Sequence, residues 1–120
     1  WWENTGHAQA LEEETAGGMI DPMELMLHRT PAHLAREALS HQREQSAAPF
    51  MGPWPLPAWP RVPTRVLITA DDRFFPRSFM TRVAVDRLGI TPEVMPGDHC
   101  PMLSNPAELS LRVLGSSPSV

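Results

Sequence analysis

Two short stretches decide the fold of this chain: residues 65–76 read RVLITADDRFFP, and residues 93–106 read EVMPGDHCPMLSNP. In each stretch a short apolar run, typical of a buried strand, leads into a polar loop that contains Gly or Pro. Between the two runs, Pro76 begins an amphipathic helix that ends at Gly89. The order strand, helix, strand predicts parallel strands with helices packed on the sheet.

The sequence on either side of this α/β part has a different texture. Upstream, cap signals at Asp21 and Thr30 and the apolar spacing that follows each of them predict helices. Residues 48–63 form a proline-rich connector, which we expect to be neither helix nor central strand and to pack its aromatic side chains on the core. Downstream, Asn105 begins a final helix, and its candidates for burial are Leu109, Leu111, Val113 and Leu114.

Composition excludes several classes of protein. The chain has 120 residues, of which 42% are hydrophobic and 20% charged, and this is typical of a globular protein. A net charge of -4 argues against nucleic acid or an anionic membrane as a partner, and no apolar run is long enough to span a membrane. Its one cysteine, Cys100, cannot form an internal disulfide. The chain begins at Trp1 without a secretory signal pattern, so we expect a cytoplasmic protein and a longer parent chain.

Acidic and basic side chains directly follow the two predicted strands. Asp71 and Asp72 come after the first strand, and His99 comes after the second. Because the carboxyl ends of parallel strands meet at one edge of a sheet, a carboxylate and an imidazole can pair there. The carboxylate would fix the imidazole tautomer and leave the other ring nitrogen to act as a base. The remaining histidines lie in predicted helices, where we expect exposed side chains: His7, His28, His33 and His41.

These two loops resemble those of the α/β-hydrolases. In that family a late core strand leads to the catalytic acid, which commonly precedes a proline by four residues, as Asp72 precedes Pro76. A Gly-x-His turn then carries the catalytic base, as Gly97 and His99 do here. The resemblance therefore implies that Asp72 is the acid, with Asp71 as an alternative, and that His99 is the base.

The same resemblance implies a partial α/β-hydrolase fold, in which a helical cap precedes a strand-helix-strand-helix unit with two parallel core strands. Residues 1–58 resemble the cap with its connector, residues 59–114 the C-terminal part of the core, and residues 115–120 form a polar tail. The family's nucleophile lies in a Gly-x-Ser-x-Gly turn before the acid. That motif is absent, since the nearest match begins at Gly115 and lacks the second Gly. Asp98 stands where a small residue is common and adds a carboxylate next to the base.

We therefore expect the C-terminal portion of a carboxylic-ester hydrolase with a Ser-Asp-His triad, which holds the acid and the base and is inactive without the nucleophile. Two alternatives stay open: other chemistry on this fold (a dehalogenase, an epoxide hydrolase or a hydroxynitrile lyase), and a non-catalytic interaction module.

We expect a small apolar ester as substrate, association through an exposed sheet edge, and neither a metal nor a cofactor. We do not expect Cys100 to replace the Ser, because it is adjacent to His99 in sequence. Candidates for an apolar substrate pocket are Met26, Phe50, Trp54 and Trp59, and the alternative is that they pack the cap on the core.

Overall fold

The computed structural model of the chain describes residues 5–15, 18 and 21–115. Residues 116–120, which form most of the polar tail, lie outside the described residues. In chain order the elements are α1 (His7–Thr15), α2 (Pro22–Met26), α3 (Ala32–Ser40), α4 (Ala48–Met51), β1 (Leu67–Thr69), α5 (Arg77–Leu88), β2 (Glu93–Met95), α6 (Pro101–Ser104) and α7 (Pro106–Leu114).

A parallel pair of strands organises the second half of the chain. β1 pairs with β2 so that Ile68 lies opposite Val94, and α5 forms the crossover and packs against β1. The backbone pairing extends beyond the strands, because the Asp71 N–H donates to the Gly97 carbonyl at 3.0 Å. The predicted order of elements and the parallel direction are confirmed, and the architecture is consistent with a partial α/β-hydrolase fold.

The core lies between the sheet, α5 and the first helices. Its largest fully buried apolar side chains are Phe79 of α5 and Met95 of β2. The part of the chain before β1, which contains α1–α4 and is here called the helical region, contributes the buried side chains of Leu25, Leu27 and Ala35. The helical part contacts the α/β part through the His7 ring, which lies against Phe79, and through hydrogen bonds from Arg29 and Thr30 to Asp98.

Two of the four histidines that the sequence places in helices are less exposed than predicted. His7 is buried, and its Nε2–H donates to the Phe74 carbonyl at 2.7 Å while its ring packs edge-on against the Phe74, Phe75 and Phe79 rings. His28 is half-buried. The prediction for His7 was wrong because periodicity within a helix does not show which distant loop packs over it. His28 lies in the turn after α2, so the predicted helix does not extend to it. The other two, His33 and His41, are exposed as predicted.

The connector also differs from prediction. Ala48–Met51 forms one helical turn, because Pro49 stands in the first turn, where a backbone donor is not needed. Trp54 and Trp59 stack on each other with ring centroids 5.7 Å apart, and each is about half exposed. Within the described chain they pack on one another and not on the core, so that expectation was wrong.

The final helix forms where predicted but does not bury its apolar side chains. Leu111, Val113 and Leu114 are 70%, 61% and 76% exposed. A sheet of two short strands offers little surface, and α7 packs mainly on α6, a helix that the sequence did not predict. The prediction of burial on α7 was therefore wrong for these three side chains in the described chain.

Replacement of Gly89 by Ala tests how α5 ends. Gly89 has φ = 67°, in the left-handed region, so a Cβ costs about 1–2 kcal/mol of backbone strain although nothing lies within 4 Å of it. Gly52 is the matched control, because it has φ = -82° and room for a Cβ. In urea unfolding, Gly89→Ala lowers the free energy of unfolding and Gly52→Ala does not. Equal losses in the two variants would contradict this account of the helix end.

Candidate active site

The loops after β1 and β2 bring a carboxylate and an imidazole together. Asp72 Oδ2 lies 3.0 Å from His99 Nδ1, and the side chains are 11% and 25% exposed. A carboxylate only accepts hydrogen bonds, so the proton of this contact is on Nδ1. Asp72 Oδ1 accepts the backbone N–H groups of Phe74 and Phe75, at 2.9 and 2.8 Å. The loop therefore holds the carboxylate in place through its own backbone.

Of the two neighbouring aspartates, only Asp72 contacts the histidine among the described residues. The Asp71 carboxylate is ion-paired with the guanidinium of Arg29 in the helical region. Both aspartates lie in the loop after β1, and their carboxylates meet different partners. The family resemblance implies Asp72 as the acid, and Asp72 is the aspartate whose carboxylate contacts His99.

The imidazole of His99 is flanked by two aromatic rings. The Phe74 ring meets it edge-on at 5.1 Å between centroids, and the Phe75 ring lies at 5.3 Å. Its other nitrogen, Nε2, makes no hydrogen bond to any part of the chain that the structure describes. The imidazole is therefore oriented at Nδ1 and open at Nε2, as a general base must be.

The carboxylate of Asp98, the residue before His99, is buried and held by hydrogen bonds. Asp98 is fully buried, and it accepts hydrogen bonds from Ser104 Oγ (2.8 Å), Thr30 Oγ1 (3.0 Å) and the backbone N–H groups of Cys100 and Arg29 (3.0 Å each). Burial by itself would raise the pKa of Asp98, but these four donors together hold the pKa below its ordinary value. Asp98 is thus a stable buried anion. The sequence shows a carboxylate next to His99, but the donors that hold this carboxylate come partly from a distant segment.

Gly97 shapes the loop that holds His99, residues 96–100, which is here called the base loop after the role that the family resemblance implies for His99. Its φ of 147° is a conformation that residues with a side chain rarely adopt, and a Cβ would lie 3.3 Å from Thr69 Cγ2. The glycine of the Gly-x-His turn is therefore required by the close approach of the loop to the end of β1.

Two side chains near the base carry nucleophilic atoms. Burial, and then the charges of Asp98 and Asp72, raise the pKa of the Cys100 thiol, which is therefore protonated at neutral pH. The hydroxyl of Ser104 donates to Asp98 and also lies 3.3 Å from the Cys100 carbonyl oxygen. Neither side chain is hydrogen-bonded to His99.

The predicted pocket residues fall in two places. Phe50, Trp54 and Trp59 gather around one groove of about 650 Å³, which Arg87 and Leu88 of α5 also line. The first turn of α5 follows the loop that holds Asp72, residues 70–76, which is here called the acid loop after the role that the family resemblance implies for Asp72. The last turn of α5 lines the groove. The helix is 12 residues long, so the groove lies about 16 Å along its axis from the loop. The structure does not bring these three side chains to the carboxylate–imidazole pair.

Met26 ends α2 and is half-buried. Glu24 of the same helix is ion-paired with Arg73 in the acid loop, which places α2 beside that loop. Among the described residues, no group of three or more His, Cys, Asp or Glu side chains has an arrangement that could hold a metal ion. Nor does any described helix have the length and apolar character needed to cross a membrane.

A carboxylate and an imidazole therefore lie in contact on the loops that follow two parallel strands of an α/β fold. A profile of the alpha/beta hydrolase family matches residues 2–111 of the chain. The chain therefore belongs to the alpha/beta hydrolase family. No curated protein and no solved structure matches it.

The buried carboxylate makes stability depend on pH. Because the pKa of Asp98 is lower in the folded chain than the ~3.9 of an unfolded Asp, its contribution is complete above about pH 5 and is lost as the pH falls through the folded pKa. At pH 7 we expect Asp98→Asn to lower the free energy of unfolding by about 2–3 kcal/mol. The side-chain NH2 group of Asn would face hydrogen-bond donors where the carboxylate now offers an accepting oxygen.

Urea unfolding at pH 7 and near pH 3 measures this difference, which becomes smaller at the lower pH. Asp86→Asn, at an exposed position on α5, is the control and leaves both values near those of the parent chain. A difference between parent and Asp98→Asn that stays constant with pH would show that the charge of Asp98 is not what the four donors stabilise.

Proposed function

We propose that this chain supplies the acid and the base of a carboxylic-ester hydrolase whose nucleophile, a serine, comes from a segment outside these 120 residues. The observation that carries the proposal is the contact of His99 Nδ1 with Asp72 at 3.0 Å, with Nε2 open. This is the arrangement that a base needs before it can take a proton from a hydroxyl group.

The chemistry follows from the two ring nitrogens. Nε2 takes the proton of the serine hydroxyl as its oxygen bonds to the ester carbonyl carbon, and the Asp72 carboxylate stabilises the imidazolium that results. Collapse of the tetrahedral intermediate breaks the ester bond, and His99 returns the proton to the leaving alcohol. Water, activated by His99 in the same way, then hydrolyses the acyl-enzyme and releases a carboxylic acid.

An external nucleophile is supported by the side chains near the base. The Cys100 thiol is protonated, and the Ser104 hydroxyl donates to Asp98. The sequence also lacks the Gly-x-Ser-x-Gly turn. Within the described residues β1 and β2 pair only with each other, so each has one free edge, and α7 exposes an apolar face. We propose that the nucleophile-bearing segment associates through these surfaces.

The proposed substrate class is an apolar ester. The rings of Phe74 and Phe75 lie against His99, so an apolar group held beside the base would contact them. Met26 lies in the helix next to the acid loop and is proposed to extend this apolar surface. The groove formed by Phe50, Trp54 and Trp59 is proposed as a second, separate apolar surface that a long substrate would reach.

Labelling with a fluorophosphonate tests the origin of the nucleophile. In the longest natural gene product that contains these residues, we expect the label on a serine outside the 120 residues, together with hydrolysis of p-nitrophenyl esters. The 120-residue chain alone takes no label and shows no turnover. Turnover by the isolated chain that is lost in His99→Ala would contradict an external nucleophile, and an aspartate in the place of the serine would indicate the dehalogenase or epoxide hydrolase chemistry.

Two matched substitutions test the assignment of the acid. In the same gene product, we expect Asp72→Asn to lower kcat by about 10⁴-fold, because the amide favours the wrong tautomer of His99. Asp71→Asn, one residue away, breaks only the ion pair with Arg29 and leaves kcat within about threefold of the parent value. Steady-state kinetics on one ester measure both, and equal losses in the two variants would refute the assignment.

A further inference from the structure

The two oxygens of the Asp98 carboxylate bind two different parts of the chain. Oδ1 accepts from Cys100 N–H and Ser104 Oγ, which belong to the base loop and to α6. Oδ2 accepts from Arg29 N–H and Thr30 Oγ1, which lie 69 and 68 residues earlier, in the helical region. One fully buried carboxylate therefore bridges the helical region and the loop that holds His99.

The helical segment on this carboxylate also contacts the acid loop. Residues 24–30, here called the clasp segment, carry the Arg29 guanidinium that pairs with Asp71 and the Glu24 carboxylate that pairs with Arg73. Both ion pairs are substantially exposed, and exposed pairs contribute little. The contact through Asp98 is buried and charge-assisted, so it is the strong attachment of the clasp segment.

We propose that Asp98 is a positioning residue: it locks the clasp segment onto the base loop and thereby keeps the imidazole of His99 aligned with Asp72. Its importance for catalysis rests on the function proposed above, whereas the coupling itself is a property of this chain. If the clasp segment moves away, Oδ2 loses both donors and the buried charge is left half satisfied, which is costly. The base loop and the clasp segment therefore open together.

The same geometry links the helical region to the proton chemistry. Asp98 is the residue directly before His99, and the Cys100 N–H on its other side donates to the same carboxylate. A displacement of Asp98 therefore moves the backbone on both sides of His99. Asp72 is held separately by the Phe74 and Phe75 N–H groups, so it does not follow, and the 3.0 Å contact with His99 is lost.

Thr30→Val tests this coupling, because it removes one hydroxyl donor from Oδ2 at nearly constant volume. By NMR on the 120-residue chain, we expect amide exchange at both Arg29 and Cys100 to become about tenfold faster, and the Cε1–H resonance of His99 to move. Thr30→Ser keeps the hydroxyl and restores the parent values. Thr64→Val makes the same chemical change at a half-buried threonine, whose hydroxyl donates to the Val62 carbonyl and accepts from Trp59 Nε1, and leaves both readouts unchanged.

A purely structural role gives a different pattern. In that case Thr30→Val accelerates all slowly exchanging amides by the same factor and leaves the His99 resonance of the folded chain in place, which would overturn the proposal. Faster exchange at Arg29 alone, with Cys100 at the parent rate, would overturn it as well.

The parent chain provides a test that does not depend on a variant that folds. The Arg29 and Cys100 amides donate to one carboxylate, so we expect them to exchange through one opening, with the same denaturant dependence. If exchange at the Arg29 and Cys100 amides depended differently on denaturant, the two amides would open separately, and the coupling would be refuted. None of these measurements uses a substrate or the nucleophile, so absence of ester hydrolysis would count against the proposed function and leave this result standing.

Discussion

The parallel pairing of β1 with β2 is the constraint on which the site depends. Both strands run in the same direction, so the loops that carry Asp72 and His99 leave the sheet at the same edge. The hydrogen bond from Asp71 N–H to the Gly97 carbonyl extends this backbone pairing beyond the strands and into the two loops. The 3.0 Å contact between Asp72 and His99 depends on this register, and a shift of one residue would turn the strand side chains to the other face.

Three aspartates on these loops have different roles because their surroundings differ. Asp72 accepts two backbone donors and the imidazole, and it orients His99. Asp71 forms an exposed ion pair with Arg29. Asp98 is a fully buried anion held by four donors from two regions of the chain. The residue type is the same in each case, and the donors that each carboxylate meets decide what it does.

Local signals in the sequence predicted much of the fold, and contacts between distant segments account for most of what it missed. The apolar runs, the start of α5 and its end at Gly89 follow from patterns within a few residues. The contact of Asp72 with His99 joins loops 27 residues apart, and it was expected from the parallel strand order and the family resemblance. The burial of His7 depends on three phenylalanines more than 60 residues away, and the role of Asp98 depends on Thr30. Periodicity also showed that α7 has an apolar face without showing what covers it.

We propose that His99, held at Nδ1 by Asp72, acts as a base through Nε2. The most direct test is the tautomer of the neutral His99 ring, read from its ¹⁵N chemical shifts in the 120-residue chain. The account predicts a protonated Nδ1 and an unprotonated Nε2. A ring protonated at Nε2, with Nδ1 bare toward Asp72, would contradict it.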